Sequence, residues 1–437
     1  MVSREIIIRA AALYVPMALT GALWWWRRPD RRLATAMLLA CAWTAPALFI
    51  VHRIAMAAGW WTFGVADFTF AGIPVDLYLG WMLLWGAVPA LAFPSLPMGV
   101  VALVMAWLDL LIMPLCNPVV RLSGSWWSGE AVAVLAVLLP AQYLARWTAG
   151  NRQLFFRAAL QVVAFSGLAL AVAPAAILQQ TGTPWPPLLI HPDWWTSVVV
   201  QLLLVPAVVG VSAVQEFAVR GGGTPIPYDA PRRLVSSGPY RYVANPMQLA
   251  LCLLWLGLAY LLHRWWMVGA SVTAFVYSAG LAAWDEDEDL TARFGMAWTE
   301  YRRHVGPWWP RWRPFAPASA PDSSARLCVA ETCDLCRGVG GWLKRRGLTN
   351  LRIVAAETCG PRELWRMTYL PADGGPGEDG VAAFARALEH VNLAWAWAGM
   401  LMRLPIVRPA LQLLVDASGG YPRNLGRGVS VDREHVG

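Results

Sequence analysis

The stretch SSGPYRYVANPMQ (Ser236–Gln248) is followed about 40 residues later by DEDEDLTARFGMAWTEYRRHVGPWWPRW (Asp285–Trp312). The interval between them sets the architecture. It holds two apolar runs, Met247–His263 and Trp265–Trp284, with a turn at His263-Arg264. A hairpin of membrane helices there returns both polar stretches to the same face of a bilayer.

The rest of the chain supports a membrane setting. Of its 437 residues 57% are hydrophobic and only 14% charged, with 27 Trp, a composition outside the range of ordinary soluble proteins. Apolar runs of spanning length, about 17–25 residues, also occur at Ile8–Trp26, Leu33–Val51, Val75–Phe93, Met98–Leu115, Ala131–Trp147, Phe155–Leu178 and Thr196–Val219. The expectation is a polytopic α-helical membrane protein of about nine transmembrane helices. Loop charge orients it, because cytoplasmic loops collect Lys and Arg. Arg27, Arg28, Arg31 and Arg32 follow the first span, Arg146 and Arg152 the fifth, and Arg220, Arg232, Arg233 and Arg241 the seventh, while Gln179–Trp195 carries no Lys or Arg. This places the amino terminus outside and the tail in the cytoplasm, in a multi-pass protein of a bacterial inner membrane. A cleaved signal peptide competes for the first segment, but RRPDRR follows it instead of a small-residue cleavage site. The formal charge of +8 is accounted for by Arg-rich loops lying against anionic lipid and calls for no nucleic acid.

Past Trp312 the composition changes to PFAPASAPDSSA (Pro314–Ala325), a linker. The segments RLCVA, ETCDLC, RGVGGWLKRR, GLTN and LRIVA then read as strand, turn, helix, turn and strand, with Cys333 and Cys336 at the strand-to-helix junction. A helix N-terminus stabilises the thiolate of the first cysteine of such a pair and makes it the attacking group. Lys344, Arg345 and Arg346 suit the C-terminal end of that helix. Two alternatives stay open: a structural disulfide, disfavoured in the cytoplasm, and a zinc site drawing on Cys328, Cys333, Cys336 and Cys359, which lacks a second C-x-x-C or a His pair. Cys41, Cys116 and Cys252 lie in or beside spans and read as small packing residues.

The paired stretches resemble the isoprenylcysteine carboxyl methyltransferase and phospholipid methyltransferase superfamily, whose members usually read GPYRxVRHPxY and then E-E-x-x-L-x-x-x-F-G-x-x-Y-x-x-Y. The likeness covers roughly Gly221–Pro314, under a quarter of the chain, and includes the approach GGGTPIPYDAPRRLVSSG (Gly221–Gly238). The tail resembles the DCC family of thioredoxin-like thiol-disulfide oxidoreductases from Arg326 to about Leu425, with Val329-Ala330-Glu331-Thr332 in place of that family's Y-D-G-x lead-in. Together they imply four parts: N-terminal helices of unknown role (1–180), a methyltransferase-like membrane domain (181–315), a linker (316–325) and a C-terminal α/β thioredoxin-like domain (326–437).

The resemblance implies S-adenosylmethionine as methyl donor, and a hydrophobic, lipid-like or isoprenoid carboxylate, amine or thiol as acceptor, drawn from the lipid bilayer. It aligns Glu286 and Asp287 with the paired glutamates and Tyr301 with the later tyrosine. Asn245 stands where the family has histidine, Ala244 where it has arginine and Gln248 where it has tyrosine. The lost arginine is a candidate carboxylate clamp, for which Arg241 or Arg233 can substitute. Asn245 and Pro246 read as N-cap and first residue of the eighth span, whose positive end suits the donor's carboxylate; a well-capped helix with no ligand is the plainer alternative. Asp285, Glu286, Asp287, Glu288 and Asp289 crowd the end of the ninth span, where acids are unfavourable, so they need cationic company from Arg232, Arg233, Arg241 or the donor. Ordinary solvated acids are again the alternative. The expected donor site is Tyr240, Arg241, Tyr242, Asn245, Pro246, Glu286, Asp287 and Tyr301; Cys333 and Cys336 form a redox site, with thiol substrates. The competing function is a membrane-anchored thiol-disulfide oxidoreductase with an inactive methyltransferase-like anchor. Asp109 and Glu216, carboxylates inside or near spans, are further candidates.

Overall fold

The computed structural model describes residues 4–64, 67–183, 185, 193–225, 229–317, 324–359 and 364–422, with the side chains of 281–286 and 335 outside that description. The chain divides into two compact units, Met1–His191 with Gly223–Ala230, and Pro192–Gly222 with Pro231–Gly437.

The first unit is built on six long apolar helices: α1 (Arg4–Arg27), α2 (Arg31–Ala58), α3 (Val75–Ala92), α4 (Met98–Cys116), α5 (Trp126–Ala149) and α6 (Leu154–Gln180). Local chemistry sets their ends. The Asp30 carboxylate caps α2 by accepting from the Leu33 N–H at 2.7 Å, and Gly59, in the left-handed region at φ 67°, stops it. Two short ribbons join the helices, β1 (Trp61–Phe63) antiparallel to β4 (Val120–Leu122), and β2 (Thr69–Phe70) antiparallel to β3 (Ile73–Pro74). The core gathers Val51, Trp61, Leu77, Trp85, Met105, Val137 and Leu138. Asp109 of α4 is buried in it, and with Glu130 and His52 it lines a cavity of about 40 Å³. Glu130 escaped the sequence reading because it stands one residue before the apolar run that begins at Ala131.

The second unit opens with α7 (Trp194–Gly221), N-capped by Asp193, whose carboxylate accepts from the Thr196 N–H at 2.6 Å. It packs against α8 (Pro246–Leu261), which packs in turn on α9, the helix running from Trp266–Tyr277 through Ser278–Ala282 into Ala283–Phe294. The short α10 (Met296–His304) follows.

Among the described residues seven helices, α1–α7, are long and apolar enough to cross a bilayer, against the nine expected. The eighth expected span stops at Leu261 after 16 residues, about 24 Å of helix against about 30 Å of hydrocarbon. The ninth does not end at Trp284 but continues to Phe294, so the five acids lie within a helix and not beyond its end. Two further apolar helices, α13 (Leu393–Arg403) and α14 (Val407–Gly420), meet at a 91° bend, and counting this pair as one span gives eight.

The tail forms a small mixed sheet. Strand β5 (Ala325–Val329) pairs in parallel with β6 (Leu351–Ala355) and antiparallel with β7 (Thr368–Leu370), which pairs antiparallel with β8 (Glu378–Asp379), in the order β6-β5-β7-β8. The β5–β6 crossover is α11 (Asp334–Lys344), the strand-helix-strand start read from RLCVA to LRIVA. The helix α12 (Val381–Leu388) and α13 cover the sheet, burying Leu327, Leu343, Tyr369, Ala383 and Leu388. Most of the expected linker at 316–325 falls outside the described residues, and Ala325 already belongs to β5.

The tail is joined to α7 by buried charge. Glu216, fully buried near the end of α7, lies 2.6 Å from the Arg386 guanidinium of α12 and 2.8 Å from that of Arg403 at the end of α13. Arg386 and Arg403 also pair with Glu378 at 2.7 and 3.2 Å and with Glu389 at 3.1 and 3.0 Å. Arg220 of α7 reaches Glu378 at 3.1 Å. Three arginines thus balance three glutamates, and the second carboxylate oxygen of Glu216 accepts from the Ser237 hydroxyl at 2.7 Å. Such a cluster contributes little over an apolar core of the same shape, but removing one member strands the others. Arg386→Met is therefore expected to lower stability by about 3–5 kcal/mol, with part of the loss recovered in Glu216→Leu/Arg386→Met. Thermal unfolding in detergent checks this, and an unchanged midpoint in Arg386→Met would contradict it.

Candidate functional site

The loop after α7 enters a tight turn, Gly238–Arg241, that leads through Tyr242 and Val243 into α8. Gly238 is required there twice over. Its φ is +59°, and a Cβ on it would sit 2.5 Å from Cγ of Glu216. Its N–H donates to Oε2 of Glu389 at 3.1 Å, and the Tyr242 hydroxyl donates to the Glu389 carbonyl at 2.9 Å. The tail therefore holds the turn from one side.

The second motif holds it from the other. The N–H of Ala244 donates to the Gly306 carbonyl at 2.9 Å and that of Asn245 to the Pro307 carbonyl at 3.2 Å, while the Arg311 and Phe315 N–H groups donate to the carbonyls of Tyr242 and Arg241, both at 2.9 Å. The Tyr301 hydroxyl donates to the Tyr240 carbonyl at 2.9 Å. The two stretches that opened the sequence reading are thus brought together, through backbone and not through the acids.

Two cavities lie on either side of the turn. The first, about 200 Å³, is lined by Arg220, Arg233, Arg241, Ser236, Ser237 and Asp373 among others. The second, about 380 Å³ and almost wholly apolar, is lined by Tyr242, Val243, Leu249, Leu253, Trp397 and Met400 among others. Successive residues of one short segment therefore face opposite chemistries. In the first cavity Nη1 of Arg220 and Nε of Arg241 are buried without a hydrogen-bond partner among the described residues.

His390 explains the state of Arg241. Its Nδ1 lies 2.7 Å from the Thr349 carbonyl, to which it must donate, so Nε2 accepts from the Tyr369 hydroxyl at 3.0 Å. Arg241 Nη1, 3.3 Å from the same Nδ1, then has no lone pair to bond there. Burial, and next the Arg241 charge, hold the His390 pKa well below its ordinary range.

The remaining expected residues divide. Arg241 and Tyr242 line cavities. Tyr240 is buried among Ala213, Phe217, Val235 and Met247, and Tyr301 among Leu290, Trp298, Val305 and Phe315. Asn245 stands at the N-cap position and Pro246 is the buried first residue of α8, both as expected, but the Asn245 side chain makes no capping bond; its backbone turns at φ −115°, ψ 60° to meet Pro307. Asp287 accepts from the Trp298 indole N–H at 2.7 Å, and Asp289 pairs with Arg293 at 2.9 Å, so the cationic company expected from Arg241 goes to neither. The Glu286 side chain lies outside the described residues. Sequence reasoning missed Arg386, Glu389, His390 and Arg403; an arginine inside each of two otherwise apolar helical runs, VAAFARAL and LAWAWAGMLMR, was the available signal.

In the tail Cys333 caps α11, its Sγ accepting from the Cys336 N–H at 3.4 Å. Both line an apolar cavity of about 340 Å³ with Val339, Trp365, Met367 and Phe384. Cys328 and Cys359 are joined by a disulfide. This departs from the expectation of no stable disulfide and withdraws both from the zinc set: Cys328 lies in β5, and the adjacent parallel β6 leads through the turn Ala356–Thr358 to Cys359.

Residues 194–295 match the phospholipid methyltransferase family. The matched segment contains α7, the Gly238–Arg241 turn, the whole first motif, α8 and the first part of the second motif, Asp285–Gly295; α10 with Tyr301 lies beyond it. No curated protein and no solved structure matches the chain.

His390 gives the site a pH signature. Between its depressed folded value and about 6.5 the unfolded chain binds a proton that the folded chain does not, so stability rises with pH across that window and is lost as pH falls below about 6.5. Glu378, held low by Arg386 and Arg403 against its burial, acts only further down, below about 4.3. Thermal unfolding between pH 7.5 and 5 is expected to show a slope of up to about 1.4 kcal/mol per pH unit from this group, absent in His390→Gln; equal slopes in the two proteins would refute it.

Proposed function

We propose that the second unit transfers a methyl group from S-adenosylmethionine to a lipid-like acceptor. The observation that carries this reading is the Gly238–Val243 segment, which parts a cationic polar cavity from an apolar one. The family match over residues 194–295 supports it, as does the helix α7 that precedes the segment, long and apolar enough to cross a bilayer.

The residues present suit the donor. Orphaned guanidinium nitrogens on Arg220 and Arg241, with Arg233 beside them, favour a carboxylate. The cavity of about 200 Å³ is below the usual size of a whole cofactor site, about 300–1,000 Å³, so it fits the carboxylate end. Arg241 and Arg233 replace the clamp lost at Ala244. The family resemblance alone assigns Glu286 and Asp287 to the donor's positive charge; Asp287 is held by the Trp298 indole and lines neither cavity. When bound, the donor supplies an electrophilic methyl on a sulfonium. Tyr242, Val243, Leu253 and Trp397 receive the acceptor's apolar chain and exclude water from the reacting end. Positioning of this kind suffices for the transfer. The acceptor is a carboxylate, amine or thiol on a lipid or isoprenoid, met at the cytoplasmic face of a bacterial inner membrane.

The tail carries a second reading, a thiol-disulfide exchange activity on thiol substrates, favoured by the apolar cavity over Cys333 and Cys336. In it Cys333 attacks and Cys336 resolves.

Two variants separate the cavities. Arg241→Gln is expected to weaken S-adenosylmethionine binding by about 1–3 kcal/mol, read by calorimetry. Leu253→Trp, which fills the apolar cavity, is expected to cut methyl transfer while donor affinity stays within twofold of the parent, roughly 0.4 kcal/mol. Unchanged donor affinity in folded Arg241→Gln would reject this placement of the donor.

A further inference from the structure

The tail holds two cysteine pairs in one buried cluster: Cys328, Ala330 and Ala356 form its centre, with Cys333, Cys336 and Cys359 packed against it. Topology accounts for the meeting. In the parallel register Val329 pairs with Ala355, the last pair of the ladder. Cys333 lies four residues past Val329 and Cys359 four past Ala355 (333 − 329 = 359 − 355), so both emerge at the same edge of adjacent strands. The two loops are also tied together: the Glu357 carboxylate accepts from the Glu331 N–H at 3.1 Å and from the Thr332 hydroxyl at 3.5 Å.

Access differs among the four sulfurs. Cys328 has no exposed surface, whereas Cys359, Cys333 and Cys336 are each half-buried, the last two lining the 340 Å³ cavity. Exchange depends on which sulfur can be attacked, and in the Cys328–Cys359 bond that sulfur is Cys359. The other pair is packed against the same cluster and so is held beside it.

We propose that the tail is an internal thiol-disulfide relay, in which the Cys333-Cys336 pair passes two electrons to and from the Cys328–Cys359 disulfide. It deepens the thiol-exchange reading of the tail and is independent of methyl transfer. Starting from Cys333 and Cys336 in their thiol form, Cys333 loses its proton and its sulfur attacks Sγ of Cys359. The Cys359–Cys328 bond breaks, and Cys328 leaves as a thiolate that takes up a proton. Cys336 then loses its proton and attacks Sγ of Cys333, forming the Cys333–Cys336 bond and releasing Cys359, which is protonated in turn. One dithiol is oxidised and one disulfide reduced, and no outside oxidant enters. The step is reversible, so the buried pair stores the redox state presented at the cavity.

The test uses the full chain in detergent, starting oxidised, with dithiothreitol as reductant and mass-tag alkylation to follow Cys328 and Cys359. Serine keeps a capping oxygen at position 333, so Cys333→Ser leaves α11 intact. The relay predicts reduction of Cys328–Cys359 at least about tenfold slower in Cys333→Ser than in the parent, since attack must then come from solvent. It also predicts that Cys336→Ser accumulates a Cys333–Cys359 linked peptide, found by mass spectrometry. Equal reduction rates in the parent and Cys333→Ser overturn the relay. If Cys336→Ser, treated separately with oxidised glutathione, forms a Cys333–glutathione adduct with release of reduced glutathione but no Cys333–Cys359 link, the relay fails and the thiol-exchange reading stands. If it forms neither, both fail. Absence of the Cys328–Cys359 bond from the air-oxidised parent also overturns the relay.

Discussion

Glu216 is a carboxylate with no exposed surface at the end of a long apolar helix, and it can stay there only because two arginines from the tail reach it. A lone charge in that position is prohibitive, and two arginines beside one carboxylate need further acids. Glu378 and Glu389 supply them, and Arg220 completes the balance. The consequences spread outward from this cluster. Ser237 and Gly238 are positioned by Glu216 and Glu389, the turn that follows carries Arg241 and Tyr242, and these face the two cavities. The tail is accordingly packed against the turn whose residues line the two cavities.

The first motif and its neighbour were readable because both are short and rich in residues with strict local roles. The glycine at 238 cannot be exchanged without a clash with Glu216, and the prolines at 239 and 246 fix the entry to α8. The strand-helix-strand start of the tail was readable for the same reason, its apolar strands and charged helix end being local signals. Three things were not readable. The helix that carries the acids runs past Trp284, although three Asp and a Thr in DEDEDLTARF are weak helix formers and gave no local sign of it. The Asn245 side chain lost its capping role to a backbone pairing with residues some 60 positions away. The partners of Glu216 lie about 170 and 190 positions further on (386 − 216 and 403 − 216), beyond the reach of any local pattern.

The same division explains how the two proposed chemistries can share one chain. The polar cavity holds charge that the tail leaves uncompensated: neutral His390, bonded to Thr349 and Tyr369, offers Arg241 no acceptor. The cysteines gather at the β5–β6 side of the same small sheet, Cys328 in β5, Cys333 and Cys336 at the start of α11 and Cys359 past β6, while β8 and α12 carry the charge cluster. A change of state at the cysteines would have to pass through β5 and β7 to be felt at Glu378, a route of packed backbone only a few strands wide.

The central claim is that α7, the Gly238–Val243 turn and the tail are one cooperative body held by the buried charges. Hydrogen–deuterium exchange on the intact protein at increasing denaturant tests it most directly. The account predicts that amides in 212–221, 238–243 and 381–403 lose protection together, at one denaturant concentration, and that Arg386→Met shifts all three down by the same amount. If 381–403 opens at lower denaturant while 212–221 and 238–243 keep full protection, the tail is only tethered and the account is wrong.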